Sequence, residues 1–217
     1  MKTFLLAVVA SAAVTAQAGT LIPDRSTLNT LLGASAVTEG FENYTIGSGN
    51  ADSIGTNLDS TTVVNGQGPG LVVPGVDFSS SSMQLDGAGY FGAPSNELLS
   101  NDTTLDITFG SSQDAFGVDL RDFNGYSLTG TVTIYATDDS TVLDTYSGIS
   151  VTSTPAFFGY ENTNGIGKVS LSSSGGWSPI IDNVEFGQAS AAPEPATITM
   201  FLAGLGLAAF ARKRRKA

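Results

Sequence analysis

The sequence predicts an all-β protein: an antiparallel β-sandwich of the jelly-roll kind, flanked by an N-terminal signal peptide and a C-terminal transmembrane helix. Apolar and polar residues alternate in many short runs, with the period of two that half-buried strands show. Clusters of turn-forming residues separate these runs, and the chain contains 26 glycines. Long helical periodicity is absent, so the crossover helices that parallel strands require have no place in the chain.

The N-terminus has the three parts of a secretory signal peptide. Lys2 supplies the positive charge, and the run from Phe4 to Ala13 is apolar but too short to span a membrane. Ala16 and Ala18 form an Ala-x-Ala cleavage site. We therefore expect a signal peptide at residues 1–18, with Gly19 as the first residue of the mature protein.

A β-sandwich passenger domain is predicted over residues 19–187. The best helix candidate runs from Ser26 to Leu32, with Ser26 as N-cap and Gly33 as the stop. The rest reads as roughly ten to twelve short strands at the spacing typical of a sandwich. The alternating core candidates are Leu105, Ile107 and Phe109; Phe116, Val118 and Leu120; Val132, Ile134 and Ala136; Val169 and Leu171; and Val184 and Phe186.

Turns are predicted between these runs. The segments 65–70 and 162–165 are rich in Asn and Gly, which favour turns. The runs 132–136 and 142–146 flank the sequence Asp-Asp-Ser at 138–140, a pattern that predicts a β-hairpin. Residues 188–192 are interpreted as a short linker that follows the domain.

The charge of the passenger excludes some classes of function. Residues 19–192 hold 3 of the 9 basic residues and 19 of the 20 acidic ones, so the formal charge of this part is −16. A surface this acidic repels phosphate backbones, and we expect no nucleic-acid binding. The chain has neither Cys nor His, which excludes Ser-His-Asp and Cys-His catalysis and imidazole-bound zinc. A metal would be held by oxygen atoms, which favours calcium or magnesium.

Two single residues are candidates for binding. Trp177 is the only tryptophan, follows two glycines and could stack on a sugar, although a tryptophan in a sandwich more often packs at the core. Arg121 lies between Asp119 and Asp122 and either clamps a carboxylate ligand or offsets the local negative charge.

The last 25 residues have three parts in a specific order. Pro193, Glu194 and Pro195 come first, followed by an uncharged apolar run at 196–211, which as a helix would span about 24 Å. Five bases follow at Arg212, Lys213, Arg214, Arg215 and Lys216, and such a cluster stays on the cytoplasmic side. This order resembles the PEP-CTERM sorting signal of Gram-negative bacteria. The alternative is an ordinary single-pass anchor with a chance Pro-Glu-Pro.

The resemblance implies a partner and a destination. An exosortase would recognise and process residues 193–217 while the chain is anchored in the inner membrane. The passenger would then reach the cell surface or an exopolysaccharide matrix. The segment from Phe157 to Val184 also resembles the passenger domain of many PEP-CTERM proteins, which supports the fold and implies no activity.

Two passenger segments resemble the first and last strands of jelly-roll carbohydrate-binding modules. They are residues 39–43 and 181–186. The resemblance implies a structural calcium ion held by Glu42 and Asp182, with backbone carbonyls completing the shell. The alternative is that both acids face solvent or cap turns.

These observations predict an exported, non-enzymatic protein of the cell surface, the extracellular matrix or a biofilm. The alternatives are a secreted carbohydrate-binding module and a carboxylate-dependent glycoside hydrolase. The second alternative has little support, because 19 acids make chance pairs inevitable and no spacing singles out one pair.

Overall fold

The computed structural model describes residues 19–122, 128–173 and 178–190. This part of the chain holds one short α-helix, two 3-10 turns and ten strands, all paired antiparallel, which confirms the predicted all-β antiparallel class. The jelly-roll assignment stays a prediction. The strands are β1 Thr20–Ile22, β2 Val37–Glu39, β3 Ala51–Leu58, β4 Val76–Asp86, β5 Glu97–Ser100, β6 Thr104–Arg121, β7 Leu128–Tyr135, β8 Val142–Val151, β9 Ala156–Ser173 and β10 Ile180–Gly187.

The strands form one continuous sheet in the order β2-β10-β5-β4-β6-β9-β7-β8, with β1 paired to β9 and β3 to β4. The two longest strands, β6 and β9, run through both layers of the fold. The N-terminal half of β6 pairs with β4, and its C-terminal half pairs with β10. Likewise β9 pairs with β1 at one end and with β7 at the other.

The two layers enclose a core of aromatic and aliphatic side chains. Tyr146 on β8 packs its ring 5.6 Å from that of Phe158, although β8 and this half of β9 are not paired. Phe109 lies 5.1 Å from Phe186 of β10. Apart from Ala136, which is half-buried, the alternating residues predicted to face the core are buried.

The helix α1, Arg25–Leu32, covers the outer face of the layer that holds β6 and β10. Its buried residues Leu28 and Leu32 pack beside Ala115. A Cβ atom at Gly117 would lie 2.6 Å from Leu28 Cδ2, so the absence of a side chain there lets the helix approach the sheet closely.

The predicted helix is confirmed, but its predicted N-cap is wrong. The cap is Asp24, whose carboxylate accepts a 2.8 Å hydrogen bond from the Thr27 amide, whereas Ser26 lies inside the helix. Asp and Ser are about equally good N-caps, and the negative charge of Asp24 is favoured at the positive end of the helix dipole. Gly33 ends the helix with φ of 54°, as predicted.

Two other local predictions are corrected. Residues 162–165 were expected to form a turn but lie inside β9, where the register with β6 shifts. Gly165, with φ of 92°, bends the strand there instead of ending it. The segment 39–43 was expected to be the first strand, but β1 precedes it and only Val37–Glu39 is extended. The 138–140 turn and its hairpin are confirmed as β7 and β8.

Candidate functional site

The junction of β2 and β10 brings together the two segments that the sequence singled out. Val184 pairs with Glu39, and the buried Glu39 carboxylate accepts hydrogen bonds from the amides of Phe41 and Val73, at 2.5 and 2.7 Å. Burial raises the pKa of Glu39, and the two amide donors oppose that rise. Glu39 therefore fixes the turn that follows β2, in which Phe41 adopts a left-handed backbone with φ of 58°.

Glu42 and Asp182 lie on either side of Gly40 at this junction. A Cβ atom at Gly40 would lie 3.8 Å from Asp182 Oδ1, 4.0 Å from Glu42 Cγ and 3.4 Å from the amide oxygen of Asn183. Asn183 also has a left-handed backbone, with φ of 49°. The structure thus places the two acids near each other, although Glu42 lies in the turn after β2 and not on a strand.

The two carboxylates differ in their surroundings. Glu42 is exposed and accepts a 2.9 Å hydrogen bond from the Asn96 amide. Asp182 is 6% exposed and accepts hydrogen bonds from Ser95 Oγ at 2.7 Å and from the Asn183 amide at 2.6 Å. Burial raises the pKa of Asp182 to about 6, and the charges of Asp119 and Glu42 add to the rise.

Such an arrangement can hold a small hard cation through oxygen ligands. Across residues 19–122, 128–173 and 178–190, however, no three acidic side chains group closely enough to hold a metal ion. A cation at Gly40 would therefore rely on two carboxylates, the Asn183 amide oxygen and backbone carbonyls.

A buried ionic row lies next to Asp182 on the outer face of the same layer. Asp86 pairs across strands with Glu97, and Arg121 contacts both Glu97 oxygens at 2.6 Å. Arg121 also donates to the carbonyl of Phe91 at 3.3 Å. Burial raises the pKa of Glu97, and the Arg121 guanidinium opposes the rise. Burial likewise raises the pKa of Asp86 to about 6.

This row explains the role of Arg121, which the sequence singled out. Arg121 holds a carboxylate of its own chain, so it offsets negative charge inside the fold, which was one of the two roles expected. Glu97 and Asp86 gave no signal in the sequence. Both faces of β5 are covered, so its burial does not alternate and its acid could not be recognised as buried.

The other two basic residues of the passenger also contact acids. Arg25 contacts Asp119 at 2.8 Å and Glu185 at 3.1 Å, and it lies over the ring of Phe157. Lys168 lies 3.7 Å from Asp106 and over the ring of Tyr135. Every cation of the described domain thus contacts an acid, and none belongs to a basic patch.

An apolar groove opens beside β1, β8 and the start of β9. It has a volume of about 310 Å³ and no charged side chain in its lining. Leu21, 48% exposed, forms one rim. Tyr146 is fixed within it by a 2.9 Å hydrogen bond from its hydroxyl to Asp144. The lining residues are Leu21, Ile22, Pro23, Tyr146, Ser147, Gly148, Ile149, Phe157, Phe158 and Gly159.

The residues that follow β10 bind back onto the domain. Ser190 donates from its amide to the carbonyl of Leu31 at 2.8 Å and from its hydroxyl to that of Leu32 at 3.0 Å. The Ala189 amide donates to Asp114 at 3.0 Å, and Gln188 contacts Ser112 and Ser35. We call residues 188–190 the C-terminal clamp. They satisfy carbonyls at the end of α1 that the helix itself leaves free.

Several predicted site residues lie outside the described part of the chain. They are Ala16 and Ala18 of the cleavage site, Trp177, Pro193, Glu194, Pro195 and the basic cluster from Arg212 to Lys216. Gly19 is described and lies against Tyr160, where a Cβ atom would come within 1.9 Å of the tyrosine oxygen. In the described ranges no helix is long and apolar enough to span a bilayer.

A family model for the PEP-CTERM protein-sorting motif matches residues 191–216. The predicted PEP-CTERM motif is therefore confirmed, and it begins directly after the C-terminal clamp. The motif implies export, a membrane-anchored C-terminal signal and processing by an exosortase. The chain matches no curated protein.

The chain has weak similarity to several solved structures. A family 29 carbohydrate-binding module is 11% identical with a TM-score of 0.36, covering 67% of this chain and 99% of its own. A family two carbohydrate esterase from Cellvibrio japonicus is 12% identical with a TM-score of 0.34, covering 73% and 36%. The catalytic unit of an α-1,3-glucanase from Streptomyces thermodiastaticus is 16% identical with a TM-score of 0.37, covering 76% and 28%.

Proposed function

We propose that this chain is an exported, non-enzymatic protein that an exosortase delivers to the cell surface, an extracellular matrix or a biofilm. The PEP-CTERM motif at residues 191–216 carries the proposal. In this account the signal peptide at 1–18 directs export and the apolar run at 196–211 anchors the precursor in the inner membrane. The passenger, a jelly-roll sandwich, would then associate with exopolysaccharide.

A non-enzymatic role fits the chemistry of the passenger. The chain has no His or Cys, and the apolar groove has no carboxylate in its lining. Hydrolysis of a glycoside by two carboxylates needs acids about 5–9.5 Å apart in a cleft, on opposite sides of the bond. The buried acids near β10 lie instead among hydrogen-bond donors and a guanidinium of the fold itself.

Replacement of Pro193, Glu194 and Pro195 by alanine tests the sorting role. Export should continue because the signal peptide is unchanged, but the protein should stay in the inner membrane, held by residues 196–211. Cell fractionation with immunoblotting measures the distribution. A matched control replaces the exposed Ser53, Thr56 and Thr154 of the domain by alanine and should sort like the wild type. Surface delivery of the Pro-Glu-Pro variant at the wild-type level would refute processing at this motif.

We also propose a second candidate function, binding of an uncharged polysaccharide. The apolar groove favours it, because Tyr146 and Phe157 offer aromatic surface in a lining without charges. A neutral glycan also avoids the repulsion that an anionic polymer would meet from a passenger of charge −16. Trp177 remains a predicted additional platform.

Affinity electrophoresis against neutral polysaccharides tests this candidate. The wild type should be retarded by at least one of them, and Tyr146→Ala should weaken binding about tenfold, since loss of an aromatic contact costs on the order of 1 kcal/mol or more. Val142→Ala changes an exposed residue of the same strand outside the groove and should bind normally. Equal retardation of the Tyr146 variant and the wild type would exclude the groove as the binding site.

Finally, we propose that a calcium ion binds at Gly40 between Glu42 and Asp182. The support is the convergence of two carboxylates and an amide oxygen on the space beside Gly40. Calcium would join the turn after β2 to β10, so its role would be to stabilise the fold and not to catalyse a reaction.

A further inference from the structure

The C-terminal clamp fixes the residues directly before the sorting motif to the body of the domain. Residues 188–192 were expected to be a linker, but 188–190 make five hydrogen bonds to α1, the 3-10 turn Gly33–Ser35 and β6. Two of these bonds hold Ser190 itself on the last turn of α1. The domain therefore holds the chain as far as Ser190, three residues beyond the end of β10.

The number of residues between Ser190 and the proposed anchor at 196–211 limits the distance between the domain and the membrane. From Ser190 to Pro193 an extended chain spans at most about 10 Å, and from Ser190 to Ala196 about 20 Å. The headgroup layer on one side of a bilayer takes up roughly 5–8 Å of that distance. A domain of this size is roughly 40 Å across, about twice the reach of the chain that tethers it.

We propose that, in the membrane-anchored precursor, the end of the domain that carries the clamp lies against the lipid surface. This inference rests on the proposed function, because it requires residues 196–211 to be the anchor. The end in question presents Ala34, Ser35 and Ser112, all exposed. The loop between β8 and β9, with the exposed Ser153, lies beyond the C-terminal end of β6, because Ala156 pairs with Leu120. The clamp contacts β6 near its middle instead, at Ser112 and Asp114, where the strand changes layer.

On the α1 side, the residues that flank the clamp suit a lipid surface. On the side of Ser112, the exposed turn that holds Thr137 and Asp139 comes close to Gly165 and Gly167. Residues 26–38, which form most of α1, the 3-10 turn and the start of β2, contain no charged residue in a passenger of charge −16. Asp114, the acid nearest to the clamp, accepts a hydrogen bond from the Ala189 amide. The α1 helix has no carboxylates that would have to leave water, so this side of the domain can approach the lipid headgroups.

Single cysteines can measure the orientation, because the chain has none of its own. Full-length precursor carrying Ala34→Cys, Ser112→Cys or Ser153→Cys is made in cells without an exosortase, labelled with a small fluorophore and reconstituted into vesicles. One set of vesicles contains lipids with a short-range quencher on the headgroup, and the other set does not. We expect quenching at positions 34 and 112 to exceed that at position 153 at least threefold.

A longer tether provides the matched control. Insertion of ten Gly and Ser residues between Ser190 and Ala191 leaves the clamp intact and lets the domain move away, so quenching at the three positions should become equal. Uniform quenching of the anchored precursor without the insertion would overturn the inference. Protection of positions 34 and 112 that appears only when exosortase is added would also overturn the inference. It would mean that this face of the domain binds the enzyme and not the lipid. Failure of the precursor to enter vesicles through its C-terminus would instead refute the proposed anchoring.

Discussion

At the scale of single residues, the buried ionic row is what the sequence could not predict. Arg121 could be singled out because it is one of three cations in an acidic domain, but its partner could not. Glu97 lies 24 positions away on a strand whose two faces are both buried, and only the pairing of β5 with β10 brings the two together. Long-range pairing of this kind leaves no local pattern in a sequence.

Removal of one member of this pair should be costly. Arg121→Met leaves the Glu97 carboxylate buried without its guanidinium, and we expect the free energy of unfolding to fall by about 3–5 kcal/mol. The double variant Arg121→Met with Glu97→Leu removes both charges and should regain most of that loss. Urea unfolding of the two variants and the wild type measures the difference. A double variant as unstable as the single one would show that the pair itself, and not the orphaned charge, carries the effect.

At the scale of elements, the alternating patterns located the strands well but not the point where one strand bends. The β6 side chains in the main core lie at odd positions from Leu105 to Phe109 and at even positions from Phe116 to Leu120. A strand of uniform pleat cannot bury both sets on one side. The register between β6 and β9 shifts between Thr108 and Ala115, which reverses the parity and carries the strand from one layer to the other. The sequence shows that the apolar residues change from odd to even positions. It does not show that both runs belong to one continuous strand.

The proposed calcium ion belongs to this scale, because it would join the turn after β2 to β10. A thermal melt of residues 19–190 should show a rise in Tm of roughly 5–10 °C at calcium a hundredfold above its dissociation constant, relative to chelator. Magnesium at equal concentration should do much less, since it demands strict octahedral geometry. The effect should weaken at pH 5, because the pKa of Asp182 lies near 6 and a protonated carboxyl binds calcium poorly.

Two variants separate this site from general salt effects. Asp182→Asn should abolish the calcium-specific rise in Tm, whereas Glu161→Gln, which removes an acid of β9 outside the junction, should keep it. Equal Tm values of the wild type in calcium and in chelator would remove the ion from consideration. Glu42 and Asp182 would then be an exposed acid and a buried hydrogen-bonded acid of the fold.

At the scale of the whole molecule, the acidic residues differ in how deeply they are buried, and their pKa values differ with it. The acidic composition was evident from the sequence, but burial decides which of the acids titrate abnormally. Asp86, Glu97 and Asp182 are buried on β4, β5 and β10, and burial raises the pKa of each. The half-buried acids Asp59 and Asp102 have lowered pKa values instead, because hydroxyl and amide donors surround them.

Stability should therefore fall as the pH rises from about 4 to about 7. The native state keeps protons on Asp86 and Asp182 up to about pH 6, whereas the unfolded chain loses them near pH 4. The native state thus binds more protons in this window, and the free energy of unfolding decreases with pH. Thermal melts between pH 4.5 and 7.5 should show a decrease in Tm of several degrees.

The variant Asp86→Asn tests whether this buried acid causes the decrease of stability with pH. Asparagine keeps the shape and does not titrate, so the variant should be more stable than the wild type at pH 7.5 and show a flatter profile. A Tm that increases over this pH range in the wild type would contradict the assignment of these acids as buried and protonated. Below pH 4 the lowered pKa values of Asp59 and Asp102 act in the opposite direction, so the maximum of stability should lie between pH 4 and 5.

The pairing of the first strands with the last has a consequence for how the protein reaches its native state. Thr20 pairs with Glu161, and Glu39 with Val184, so the N-terminal residues meet their partners roughly 140 positions later. A chain that crosses a membrane from its N-terminus cannot close either pair until β9 and β10 have emerged. Contacts this distant in sequence make folding slow. In the proposed export route, the passenger would therefore remain unfolded during translocation and fold on the far side, when the residues next to the sorting motif arrive.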